Sequence, residues 1–110
     1  MSIYGHYTQQ FYGSKIIFPE NSFFISEINF YKDNCLDLTY ETELTMELET
    51  DNEYEISIKN NNNKIGYVPN TKIKEICKEH ITDPVKIINI KIINGNFNIC
   101  VIPKCFYNDL

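Results

Sequence analysis

Residues 40–55 read YETELTMELETDNEYE, and the spacing of the acids in this stretch decides the fold. Seven carboxylates occupy odd positions, Glu41, Glu43, Glu47, Glu49, Asp51, Glu53 and Glu55, with only Thr45 breaking the row. Leu44, Met46 and Leu48 stand between them. Side chains alternate between the two faces of an extended chain, so a period of two turns the hydrocarbons inward and the acids toward water. The stretch therefore predicts a strand with one buried face. Asp51 and Asn52 then suit a tight turn, after which Tyr54, Ile56 and Ile58 resume the alternation. No lysine lies between Lys32 and Lys59 to balance the row.

Working outward, "FFISEINFY" (23–31) mixes β-branched and aromatic residues in near alternation and reads as a strand closed by the turn "KDN". Residues 1–22 have no clear period and read as an arm or irregular lead-in holding a short strand at Lys15 to Phe18. "NNNNK" (60–64) is a loop. In "NTKIKEICKEH" (70–80), Ile73, Ile76, Cys77 and His80 fall at helical spacing, with Asn70 or Thr71 placed to cap the first turn and Pro84 beyond the end. "VKIINIKII" and "FNICVIP" flank "NGN" and form a tightly coupled hairpin. Strands, one helix and a closing hairpin describe a mainly β, α+β domain over 23–110. Its size suits a small, partly open barrel of the SH3-like or OB-like kind, with the helix across one opening.

The chain's 110 residues support one core, and 43% hydrophobic content is too apolar for a disordered segment. No run is long enough to span a bilayer as a helix, and the first residues lack the pattern of a signal peptide, so a cytoplasmic setting and free thiols at Cys35, Cys77, Cys100 and Cys105 are expected. Net charge is −5 and every basic residue is lysine. Without arginine the chain lacks the bidentate fork suited to phosphate, and its acidity repels a phosphate backbone at long range.

Catalytic signatures are absent: His6 and His80 lie in no nucleophile pattern, and there is no phosphate loop or acidic metal loop. The chain is therefore expected to be no enzyme. His80 is expected to interact with the carbonyls at the end of its helix. Cys77, His80, Cys100 and Cys105 add up to four zinc ligands by count, but Cys77 and Cys100 occupy apolar positions where cysteine behaves as a small hydrophobe, so no metal or cofactor is expected. The acid row has two readings. One is a solvated face that discourages edge pairing. The other is a decoy, since acids about 6.8 Å apart along a strand approach the spacing of nucleic-acid phosphates.

Glu49, Asn52, Tyr54 and Glu55, followed by Gly66, Tyr67, Val68 and Pro69 before a helix, resemble the HIRAN domain. In that family an acid precedes Asn-Pro-Tyr-Asp, and a glycine, an aromatic or histidine, an aliphatic residue and a proline follow; Glu53 stands here at the first proline position. The resemblance implies a small barrel that holds the 3′ end of single-stranded DNA. Tyr54 would stack on a base, Asn52 and Glu55 would contact the terminal sugar, Phe30 would replace a first-strand tyrosine, and Tyr67 would complete the site. Two basic positions of the family are here Asn29 and Asn70, which removes phosphate contacts and leaves lysines such as Lys64 and Lys72. The alternative is an acidic, nucleic-acid-mimicking inhibitor or adaptor of the phage anti-defence type. It would dock on a basic nucleic-acid-binding protein through Glu41, Glu43, Glu47, Glu49, Asp51 and Glu53. Neither reading specifies an oligomeric state.

Overall fold

The computed structural model describes residues 10–12, 15–51 and 54–108. Its eight strands are β1 (Gln10–Tyr12), β2 (Lys15–Ile17), β3 (Phe23–Phe24), β4 (Glu43–Leu48), β5 (Ile56–Asn60), β6 (Asn63–Tyr67), β7 (Val85–Ile93) and β8 (Asn96–Pro103). A 3₁₀ segment covers Ile28–Cys35, α1 covers Lys72–Glu79, and α2 is a single turn at Lys104–Tyr107. Among the described residues, strands β1 and β2 form a separate two-stranded sheet. The other six form one antiparallel sheet in the order β3-β8-β7-β4-β5-β6.

That sheet curls into a half-barrel whose edges meet at one place. Just beyond β3, the Ile25 amide donates to the Ile99 carbonyl at 3.0 Å, keeping the segment on β8. The next residue, Ser26, exchanges two backbone hydrogen bonds of 2.8 and 2.9 Å with Tyr67 at the far edge. Joining the edges removes unpaired backbone that would otherwise invite another chain.

The alternating stretch behaves as its spacing predicts over most of β4. Leu44 is 0% exposed and Met46 is buried, together with Ile56, Ile58, Ile65, Val85, Ile87, Ile99 and Val101. Helix α1 closes the core with Ile73 and Cys77, and the Thr71 hydroxyl accepts from the Ile73 amide at its start. Two-residue turns link the hairpins: Asn61 and Asn62 join β5 to β6, and Asn94 and Gly95 join β7 to β8, all at positive φ. The expected loop at 60–64 is thus tighter than its five residues imply.

A register shift between Ile87 and Asn89 buries Ile87 and Ile88 on opposite faces of the sheet. Ile88 joins Cys100 and Ile102 in a smaller outer cluster under Phe18, Phe106 and Tyr107. This is why β8 is apolar at consecutive positions. Both of its faces are covered.

The strand expected over Phe23–Tyr31 stops at Phe24. Glu27 takes a left-handed conformation (φ 60°), turning the chain into the 3₁₀ segment that carries Phe30. Near-alternation failed here because Ile25 and Ile28, three residues apart, are the buried anchors. None of the helices among the described residues is long and apolar enough to cross a membrane.

Candidate nucleic-acid interface

The expected site residues fall into two groups of contacts. The first is built on β6 and the 3₁₀ segment. Lys64 Nζ lies 2.6 Å from Glu49 Oε1 and donates to the Tyr67 hydroxyl at 3.0 Å, with the ammonium 4.8 Å from the centre of that ring. The Tyr67 hydroxyl also donates to Glu49 Oε1 at 3.4 Å, and Tyr31 meets Tyr67 edge to face at 6.4 Å. Hydrogen bonding to Tyr67, then burial, pushes the Tyr31 phenol up.

Phe30, which precedes Tyr31 in the chain, is 82% exposed. Its backbone is nevertheless held firmly. Ile28 and Cys35 bury the two ends of the segment. The Phe97 amide donates to Asn29 Oδ1 at 2.8 Å, while Asn34 Nδ2 donates to the Lys64 carbonyl at 2.8 Å. Asn29, which stands where the HIRAN pattern has arginine, thus fastens the segment to β8. A polar hollow of about 310 Å³, lined by residues 29–34 including Phe30, Lys32 and Asn34, opens here.

The second group carries Tyr54, 72% exposed, with Lys78 Nζ 5.9 Å from its ring centre. Glu55 lies 3.8 Å from Lys74, whose side chain is 8% exposed. The backbone joins the two groups, since the Glu49 amide donates to the Glu55 carbonyl at 3.0 Å. Asn52 and Glu53 lie outside the described residues.

The acid row is not the unbalanced line that local sequence implies. Glu43 pairs with Lys104, Glu47 with Lys59, Glu49 with Lys64 and Glu55 with Lys74. The lysines arrive from β5, β6, α1 and α2, which only folding brings alongside. Glu41 and Asp51 are exposed and carry no ion pair among the described residues. Two expectations are corrected. Glu49 does not face open water but sits in the tyrosine network, and Lys64, bound to it, is not a spare cation for a ligand.

The Lys64 hydrogen bond holds the Glu49 carboxyl below its ordinary value, against the opposing effect of burial, and the same bond raises Lys64. A carboxylate lowered in the folded state adds stability that is complete above about pH 5 and fades as pH falls through the lowered value. Glu49→Gln is therefore expected to cost about 1 kcal/mol at neutral pH. Urea unfolding should show that deficit shrinking toward about pH 3; a deficit independent of pH would refute the pairing.

Three of the four free cysteines are buried, and burial pushes Cys35 and Cys100 up to about 11 and Cys77 to about 12. They act as small hydrophobes, as their apolar positions imply. His80 departs from expectation. Its backbone amide, not its ring, caps α1 by donating to the Cys77 carbonyl, while Nδ1 faces Asp83 Oδ2 at 3.1 Å. Sequence reasoning missed Tyr31 and Lys74 as members of the site. Neither falls in a recognisable motif, and only folding sets Tyr31 against Tyr67 and Lys74 near Glu55.

In comparisons with protein-family models, with curated proteins and with solved structures, nothing matches this chain.

Proposed function

We propose that this chain is a non-enzymatic binding module, HIRAN-like in architecture, that holds single-stranded nucleic-acid ends by stacking bases on exposed aromatic rings. The observation that carries this reading is Phe30, 82% exposed on a segment fixed at both ends. Burying such a side chain would contribute about 1.5–3 kcal/mol, which the fold forgoes. A rigidly presented ring loses little freedom when a base stacks on it. Lys32 and Asn34 in the adjoining hollow supply a cation and a polar side chain near that position. Tyr54, under the Lys78 ammonium, provides a second ring. Glu55 is held by Lys74 near it, in the position where the family resemblance puts a sugar contact.

Ion pairing at Glu43, Glu47, Glu49 and Glu55 reduces the negative field of the row and lends less support to the reading as an acidic inhibitor or adaptor. That reading keeps Glu41, Glu43, Glu47, Asp51 and Glu53 as its docking residues.

Anisotropy of a labelled oligonucleotide with a free 3′ hydroxyl, at about 0.05 M salt, tests the proposal. Stacking is worth about 1–3 kcal/mol per base, so Phe30→Ala should weaken binding about 5- to 150-fold while leaving the circular dichroism unchanged. No binding by the native chain, or equal binding by Phe30→Ala, would refute it. Capture of a basic protein lost on reversing Glu41 and Asp51 would then favour the adaptor.

A further inference from the structure

We propose that His80, Asp83 and Cys105 form a binding site for a zinc-like divalent cation where α1, the turn before β7, and α2 converge. One donor atom from each of the three lies within 4.8 Å of the others. His80 Nδ1 is 3.1 Å from Asp83 Oδ2 and 3.6 Å from Cys105 Sγ. A tetrahedral ion with bonds of about 2.0–2.2 Å to nitrogen and oxygen and about 2.3 Å to sulfur sets neighbouring donors about 3.3–3.6 Å apart. The Nδ1–Sγ separation matches an edge of that tetrahedron, and the Nδ1–Oδ2 separation is about 0.2 Å shorter than one.

Both short contacts converge on the same ring nitrogen. Nδ1 offers one hydrogen or one lone pair, so hydrogen bonding serves both contacts only by sharing it. A Cys-His-Asp relay is excluded by the same feature, because a relay divides nucleophile and carboxylate between the two ring nitrogens. A cation bound to all three donors would engage Nδ1, Oδ2 and Sγ at once.

Backbone hydrogen bonds arrange the donors before any ion arrives. The His80 amide donates to the Cys77 carbonyl and the Asp83 amide to the His80 carbonyl at 2.9 Å, making a tight turn. The Lys104 amide donates to the Pro84 carbonyl at 2.9 Å and brings α2 against it. Phe106 packs edge-on at 5.0 Å from the imidazole and fixes its plane. The partial negative charge at the C-terminal end of α1 favours a cation there. The mixed nitrogen, oxygen and sulfur set suits zinc or cobalt(II) rather than calcium or magnesium. Three protein ligands leave one position for water, and all three side chains are partly exposed, so an ion can enter.

Sequence alone assembled a different quartet. Cys77 and Cys100 are buried in separate clusters, and Asp83, which no cysteine or histidine count includes, takes their place.

Cobalt(II) and zinc titrations of the full chain carrying His6→Gln, which removes the other histidine, test the site. One equivalent of cobalt should give thiolate charge-transfer absorption and intense tetrahedral visible bands. Zinc should protect Cys105 from alkylation and raise Tm. Cys105→Ser should abolish the charge-transfer absorption, and it and Asp83→Asn should each weaken zinc by about 100-fold, with unchanged circular dichroism in the absence of metal. No zinc binding by the native chain, an octahedral cobalt spectrum, or equal affinity in Cys105→Ser would overturn the proposal.

Discussion

Leu44→Ala should lower the unfolding free energy by about 3–4 kcal/mol, whereas Leu48→Ala should cost less than about 1 kcal/mol. The two residues share one alternating row, yet Leu44 is 0% and Leu48 is 41% exposed. The pairing of β4 explains the difference. Glu43 and Leu44 pair with β7, while Thr45 to Leu48 pair with β5 alone, so the strand's last residues leave the shelter of the closed part of the sheet. Truncating Leu44 opens a cavity among residues that cannot collapse into it; truncating Leu48 removes a side chain already half in water. Urea unfolding would read the contrast as a large and a small shift in midpoint at constant slope. Equal losses at the two positions would show that β4 is packed evenly along its length.

Gly66→Ala should cost about 3 kcal/mol, because the added methyl has nowhere to go. A Cβ built there lies 2.6 Å from the Ser26 carbonyl oxygen and closer still to the Ile25 side chain. That is the place where the two edges of the sheet meet, and the neighbouring residue, Tyr67, makes the bridge to Ser26. The substitution should therefore also remove hydrogen-exchange protection at the Ser26 and Tyr67 amides. Gly95→Ala is the control. It places a methyl at φ 79° in the β7–β8 turn, where nothing lies within 4 Å, and should cost only about 1 kcal/mol for the backbone conformation. A loss at Gly66 no larger than at Gly95 would mean that close approach does not hold the edges together.

Glycine in the Gly-Tyr-Val-Pro segment thus has a physical role of its own, independent of any family likeness. It admits the carbonyl of Ser26, Tyr67 closes the sheet and anchors the Lys64–Glu49 pair, and Val68 is buried ahead of α1.

Local periodicity made much of the architecture legible. Leu44 and Met46 face the core as their spacing requires, Thr71 caps α1, and "NGN" turns the β7–β8 hairpin. It failed where burial depends on partners distant in the chain. The 3₁₀ segment replaced a strand because Ile25 and Ile28 are the residues that reach the core, and β8 is apolar at consecutive positions from Ile99 because α2 and Phe18 cover its second face. Tyr67 and Tyr54 were visible as motif positions, but their settings were not.

By itself, then, the order of residues determined an extended, one-sided β4, the capped helix and the closing hairpin, since each depends on side-chain alternation or turn chemistry within a few neighbours. Tertiary structure alone decided which lysine meets which carboxylate, that Phe30 stands out on a 3₁₀ turn, and that Asp83 joins His80 and Cys105. Coulombic, packing and ligating contacts act between atoms a few ångströms apart in space, and in the Lys104–Glu43 pair those atoms come from residues 61 positions apart along the chain.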